Sequence, residues 1–251
     1  SLEKIMKWIS FIFCVLSFSF TSYGEVTYKE FLNLKDVTHK VFKELRPDET
    51  HQLLMNPPFE LNETYWWDID ALRAAYHGYE NIEENIYQHY IYIFGGYAKQ
   101  KFMTLDGLAL TICHELGHAF AGAPFKNNGA SVEAQSDYFA AKTCLPLFFK
   151  YMASTDEFLD DNYVYNLCDK SAPDQKFCLR AFKAFESMLK YFESLGEVAY
   201  FHDIDRSIVE ELNTNNSFYP NAQCRIDTMI QGLLNKERPL CWYPGGVQRR
   251  L

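Results

Sequence analysis

Apolar side chains recur every three or four residues along most of this chain, and that spacing predicts amphipathic helices. The first predicted helix covers residues 27–46 and ends at Arg46-Pro47. Others are predicted at Trp66–Tyr79 and Leu105–Ala121. Beyond Pro146 the pattern stays largely helical, and its main aromatic stripe is typical of a buried core. That stripe consists of Phe177, Phe182, Phe185, Leu189 and Phe192.

A different pattern occupies residues 87–94, where β-branched and aromatic side chains run up to Gly95-Gly96 and predict a strand. This strand is either an ordinary member of a sheet or an edge that can pair with an extended peptide. Residues His51–Asn62 are interrupted by prolines and predict a loop. Many helices and few strands together predict a mainly helical α+β fold with a small sheet.

Composition and charge limit the classes of partner. The chain has 251 residues, of which 48% are hydrophobic and 17% aromatic, so it can bury a substantial core as one domain. Its net charge of -9 argues against nucleic acid or an anionic membrane surface as a partner.

Residues 1–24 have the organisation of a signal peptide. Lysines precede an apolar run at 8–20, and small residues follow as far as Gly24, so cleavage is predicted before Glu25. The apolar run is too short to span a bilayer, which takes about 20 residues. The predicted mature chain, 25–251, is a single exported domain without an integral membrane segment, either periplasmic or secreted.

Six cysteines follow the predicted cleavage site, and an even number in an exported chain suggests disulfides. Cys168 with Cys178 can close a local loop, and Cys224 with Cys241 can hold the C-terminal tail. Cys113 and Cys144 are either a third pair or two buried free thiols, and both alternatives stay open.

The chemistry is carried by an H-E-x-x-H motif, His114 to His118, inside the predicted helix at Leu105–Ala121. Positions i and i+4 of a helix share one face, so both imidazoles can bind the same ion. Glu115 lies beside the first histidine, where it can act on a water molecule as a general base. Two imidazoles and a carboxylate, with one position left for water, suit a catalytic zinc ion. One Zn²⁺ per chain is therefore predicted.

A second pair of side chains follows fifteen residues after His118. Glu133 and Asp137 are also at i and i+4, so a second helix can present both on one face. Taken alone, such a pair is typical of a solvated helix surface. After H-E-x-x-H it matches the plan of gluzincin peptidases, with Glu133 as the third metal ligand and Asp137 as the acceptor that orients a ligand histidine, His114.

With these motifs the chain resembles the HtpX-like and CAAX-prenyl-protease-like family of gluzincin metallopeptidases, in particular small exported bacterial members without transmembrane helices. The resemblance runs from about Tyr92 to Tyr243, and the predicted catalytic core covers about residues 87–243. Beyond the two metal motifs it rests on Gly122-Ala123-Pro124, on the block Tyr219–Thr228 and on Arg238-Pro239-Leu240-Cys241-Trp242. It implies a zincin fold, in which a small sheet lies over the H-E-x-x-H helix.

The resemblance also implies two catalytic residues near the C-terminus. The family usually has His-Pro followed by an arginine there, and this chain keeps the arginine as Arg225 but has Tyr219 in place of the histidine. The tyrosine hydroxyl can still donate to an oxyanion, or the ring merely packs beside Pro220.

The function predicted from these residues is a zinc-dependent endopeptidase that acts on peptides or proteins in the cell envelope or outside the cell. The alternative is a catalytically weak or inactive zincin that serves as a binding or regulatory module in the envelope. Retention of Glu115 favours the enzyme, because structural zinc does not require a general base.

Overall fold

The computed structural model describes residues 25–155 and 157–249, so the predicted signal peptide lies outside the described residues. Within them, a mainly helical chain packs around a small three-stranded sheet, which confirms the α+β class. The strands are β1 (His51–Met55), β2 (Ala74–Asn81) and β3 (Ile86–Ile93). The helices are α1 (Tyr28–Leu45), α2 (Tyr65–Asp68), α3 (Gly95–Ala98), α4 (Leu105–Phe120), α5 (Glu133–Phe139), α6 (Leu145–Tyr151), α7 (Asn162–Ser171), α8 (Gln175–Ser194) and α9 (Ala222–Leu233).

The long helices begin and end where local signals predict. A capping box starts α1, in which Thr27 N–H donates to Glu30 Oε2 at 2.9 Å and Glu30 N–H donates to Thr27 Oγ1 at 3.3 Å. Thr104 caps α4 by accepting from Gly107 N–H at 2.9 Å. No helix in the described part of the chain is both long enough and apolar enough to cross a bilayer.

Strand β3 is the middle strand of the sheet, whose order is β1-β3-β2. β1 runs parallel to it, with Met55 opposite Ile91, and β2 runs antiparallel to it, with Ala74 opposite Ile93. The predicted strand at 87–94 is therefore confirmed, whereas its interpretation as an edge is wrong, because neighbouring strands pair with both of its sides.

The helix predicted at Trp66–Tyr79 is wrong over most of its length. Its start falls in the four-residue helix α2, and its end falls in β2. Apolar spacing favours a helix there, but pairing with β3 along eight residues supplies backbone hydrogen bonds and cross-strand contacts that outweigh this local preference. The loop predicted at His51–Asn62 is also wrong at its start, where five residues form β1 against β3.

Three disulfides join the pairs of cysteines considered in the sequence. Cys168–Cys178 joins α7 to α8, and Cys224–Cys241 ties α9 to the C-terminal segment. Cys113–Cys144 joins α4 to a π-helical turn, Ala140–Cys144, that continues α5. The alternative of two free thiols at this last pair is therefore wrong. Each bond restricts the unfolded chain, which in the chain-entropy model contributes about 3 kcal/mol to stability.

Helices α4 and α5 pack closely because Gly117 has no side chain. A Cβ at this position would lie 2.8 Å from the Cα atom of Ser136 on α5, closer than carbon atoms normally approach. Every residue of α5 is buried. The glycine inside H-E-x-x-H thus sets the spacing between the two helices that carry the predicted ligands.

Replacing Gly117 with alanine is expected to destabilise the protein by about 1–3 kcal/mol, since the added carbon meets backbone atoms that cannot rotate away. Urea unfolding followed by tryptophan fluorescence measures this change. An unchanged unfolding midpoint would contradict the close packing of α4 on α5.

Candidate metal centre

Two imidazoles of α4 point into the same space. His114 and His118 are both buried, and their ring centroids lie 4.8 Å apart at an angle of 81°. The helix that carries them is buried along most of its length and ends at Phe120, after which come the capping residue Ala121 and Gly122 at φ 74°. This left-handed glycine turns the chain away directly after the second histidine.

Glu133, at the start of α5, brings its carboxylate to these rings. Its Oε2 lies 3.0 Å from His114 Nε2, and its Oε1 lies 3.7 Å from His118 Nε2. The three side chains form a group whose ligand atoms all lie within 4.8 Å of one another. Ligand atoms on a tetrahedral zinc ion, each about 2.1 Å from the metal, are roughly 3.4 Å apart. The donor set could therefore hold a metal ion, and its two imidazoles and carboxylate are ligand types that zinc accepts.

The hydrogen bonds on the far side of each ring define which nitrogen carries the proton. His114 Nδ1 lies 2.7 Å from Asp137 Oδ1, and His118 Nδ1 lies 2.9 Å from the carbonyl oxygen of Ser131. Both oxygens are acceptors, so in its neutral form each ring holds its proton on Nδ1, which leaves Nε2 facing Glu133 and free to bind a proton or a metal ion.

Lone pairs that face a carboxylate repel it unless a cation lies between them. Glu133 Oε2 is buried and accepts no hydrogen bond of normal geometry from the described residues, although His114 Nε2 is close. A buried polar atom without a donor calls for a physical explanation. A metal ion bound by the two imidazoles and this carboxylate would satisfy all three groups together.

The charges of the centre also favour a cation. Burial opposes a charge on His114, but Asp137 and Glu133 more than offset this and raise its pKa to about 10. Burial also opposes ionisation of Glu133, yet its contacts with His114 lower the pKa of this carboxyl below its usual value. The environment that attracts a proton to His114 attracts a metal ion for the same electrostatic reason.

Asp137 connects the centre to helix α9. Its carboxylate accepts two hydrogen bonds from Arg225, from Nε at 2.7 Å and from Nη2 at 2.9 Å. Burial opposes ionisation of Asp137, but the adjacent guanidinium holds the pKa of this carboxyl below its usual value. The structure thus places Asp137 against His114, as the sequence predicts. It places Arg225, predicted as catalytic, mainly behind Asp137 as a support.

A cleft of about 1000 Å³ opens over the centre and is lined on one side by β2. Glu115 lines the cleft beside the two histidines, and burial raises its pKa to about 7. Tyr219 also lines the cleft, near Glu133, and is 59% exposed. Burial of its hydroxyl and the charge of Glu133 raise the pKa of Tyr219 to about 12, so this hydroxyl stays protonated. The ring centroid lies 5.9 Å from the Arg225 guanidinium carbon.

The remaining histidines lie outside the donor set. His89 is buried between β1 and β2, with His51 Nδ1 2.9 Å and the Tyr76 hydroxyl 3.0 Å from its ring nitrogens. Burial and the neighbouring His51 lower the pKa of His89 to about 4. His77 is exposed at the cleft, and His202 is exposed and packs its ring against Tyr200.

One buried residue of the centre is missed by sequence reasoning. The Nζ atom of Lys126 lies 2.5 Å from Glu133 Oε1, and its side chain is 9% exposed. Lys126 stands in a polar turn that contains Asn127, Asn128 and Gly129, where a lysine is ordinarily solvated. The only available signal is its position between the second histidine and Glu133 in the chain.

No protein-family model, curated protein or solved structure matches this chain. The resemblance to HtpX-like peptidases therefore rests on the quoted residues, and the centre is interpreted from its own geometry.

The bond between Arg225 and Asp137 can be tested by stability. Arg225→Met leaves the Asp137 carboxylate buried without its counter-charge, which is expected to cost about 3–5 kcal/mol. The double variant Arg225→Met with Asp137→Asn should regain most of this loss, because the amide is neutral and its oxygen still accepts from His114. Urea unfolding measures the free energy of unfolding of the single and the double variant. Equal destabilisation of the single and double variants would contradict the charge argument.

Proposed function

We propose that this protein is a zinc-dependent endopeptidase of the gluzincin type. The observation that carries the proposal is the convergence of two imidazole nitrogens and the Glu133 carboxylate at one buried group of side chains that lines the cleft. A general base stands beside it in Glu115. The H-E-x-x-H helix next to a small sheet supports a zincin fold, and the family resemblance supports the same class.

His114, His118 and Glu133 would hold the ion, and Asp137 and Ser131 would orient the two imidazoles through their Nδ1 protons. A zinc ion bound there would act as a Lewis acid on a carbonyl oxygen and on water. His114, His118 and Glu133 all line the cleft, so an ion held by them would be accessible to water or substrate from that side.

Glu115 performs the proton transfers in this proposal. Its carboxylate takes one proton from the attacking water as the new carbon–oxygen bond forms. It then delivers that proton to the amide nitrogen as the carbon–nitrogen bond breaks, so the amine leaves neutral and the new carboxyl group remains. Burial suits this role, because it keeps the carboxylate a stronger base than it would be in water.

An extended peptide fits the cleft by pairing with β2. This strand has a partner on one side only, β3, among the strands of the described residues. Residues Ala74–Glu80 of β2 line the cleft, next to the two histidines. Main-chain hydrogen bonds to this edge would hold a substrate without regard to its side chains. Pairing with an extended peptide, one of the two alternatives left open for residues 87–94, is thus proposed for β2 instead.

The disulfides support a periplasmic or secreted location, because such bonds persist in oxidising compartments. The predicted signal peptide at 1–24 supports the same location, and the net charge of -9 supports a peptide or protein substrate rather than nucleic acid.

Glu115→Gln separates catalysis from metal binding. This variant is expected to keep one equivalent of zinc but lose peptidase activity at least about 100-fold, because the amide cannot accept the proton of water. Glu133→Gln should lose zinc, because it removes the only anionic ligand. Metal analysis and digestion of a proteome-derived peptide library measure the two properties. Full activity in Glu115→Gln would sink the proposal, and zinc binding without activity in the unaltered protein would favour the binding module.

Tyr219→Phe tests the role of the tyrosine hydroxyl. If it donates to the developing oxyanion, kcat should fall about 100-fold while KM stays within a few-fold and zinc content is unchanged. The expected selectivity for kcat follows because the donor acts on charge that appears only in the transition state. Steady-state kinetics on a peptide found in the library measure this. An unchanged kcat would return Tyr219 to a packing role beside Pro220.

A further inference from the structure

Lys126 places a positive charge at the candidate metal centre, in addition to that of Arg225. Its Nζ atom contacts Glu133 Oε1 at 2.5 Å, whereas the other carboxylate oxygen, Oε2, faces His114. The same side chain lines the cleft, and its Nζ lies 5.9 Å from the centroid of the Tyr219 ring. The ammonium therefore contacts the proposed third ligand and also borders the space where a substrate would lie.

Hydrogen bonds connect the turn that carries Lys126 to His118, one of the proposed ligands. Lys126 N–H donates to the carbonyl of Ala130 at 2.7 Å, and Gly129 N–H donates back to the Lys126 carbonyl at 3.0 Å. Ser131, which closes the turn, donates its N–H to the His118 carbonyl and accepts from the ring of the same histidine. The position of the lysine is thus tied to that of a ligand, unlike the position of a freely rotating surface cation.

The charges of the buried groups pair off with one exception. Asp137 is neutralised by Arg225, and Glu133 is neutralised by Lys126. Glu115, the third buried carboxylate of the centre, forms an ion pair with neither Lys126 nor Arg225. A divalent ion bound beside a neutralised Glu133 keeps more of its positive charge, since the carboxylate is shared with an ammonium.

We propose that Lys126 is a positioning and charge-balancing residue that shares the Glu133 carboxylate with the metal, weakening metal binding and strengthening the hold of the centre on an anionic oxygen in the cleft. This inference rests on the proposed function only in taking zinc as the ion. Removing the positive charge of Lys126 should therefore raise the affinity for zinc and lower the affinity for an anion in the cleft. Replacing a residue that merely supported the fold would lower both affinities.

Zinc affinity forms the first arm of the test. Lys126→Gln keeps a donor for Glu133 Oε1 but removes the charge, so zinc should bind at least about tenfold more tightly in competition with a chromophoric chelator. Lys126→Arg keeps the charge and should stay within about threefold of the unaltered protein. Lys142→Gln is the matched control, because it removes the same charge from an exposed position and should change nothing.

Anion binding forms the second arm, with inorganic phosphate as the probe. Phosphate is titrated into the cobalt(II)-loaded protein, and the visible absorption of the metal reports binding. Lys126→Gln should bind phosphate about tenfold more weakly than the unaltered protein, and Lys126→Arg should bind it nearly as well. Circular dichroism checks that each variant is folded, and Lys126→Met, with the same expected directions, replaces the glutamine variant if that protein does not fold.

The outcomes separate this inference from the proposed function. Tighter zinc with weaker phosphate in Lys126→Gln supports the inference. Zinc affinity that is unchanged or weaker overturns it, and so does unchanged phosphate binding, which would show that the ammonium leaves the cleft when metal binds. Neither arm measures hydrolysis, so failure of the peptidase proposal in the Glu115→Gln experiment leaves both results interpretable.

Discussion

The arrangement of this protein depends on one buried carboxylate. Asp137 accepts from His114 on one side and from Arg225 on the other, and it is fully inaccessible to solvent. A charge removed from water must be compensated by partners in defined positions. Because these partners lie on α4 and α9, and Asp137 itself lies on α5, a single electrostatic requirement fixes three helices relative to one another. The orientation of the first histidine follows from it.

Much of this centre could be predicted from the sequence because its geometry is local. The pair His114 and His118 share a face on any helix, and so do Glu133 and Asp137. The start of α4 follows from the capping residue Thr104, and the end of α1 follows from Arg46-Pro47. Such features require only the pitch of a helix and the properties of caps, so no knowledge of the tertiary structure is needed. The close approach at Gly117 then brings the two pairs together.

What could not be predicted depends on contacts between distant segments. Residues 74–81 favour a helix by spacing and become strand β2 only because β3 pairs with them. The position of β3 in the middle of the sheet likewise depends on β1, whose five residues carry a weak signal. Lys126 is the clearest case, since a lysine in a polar turn is normally exposed. Its burial arises from the carboxylate of Glu133 and the ring of Tyr219, which no local pattern associates with it.

The disulfide between Cys113 and Cys144 makes the rigidity of the centre depend on whether these two thiols have been oxidised. Cys113 immediately precedes His114, and Cys144 lies in the helical segment that begins with Glu133. Before oxidation, only a loop and non-covalent packing hold the histidines near their carboxylates. Afterwards the two helical segments are covalently joined one residue away from His114, a candidate ligand. Thiol oxidation therefore adds a covalent link to the packing of α4 on the segment that carries Glu133, and this link restricts how far the candidate donor atoms can move apart.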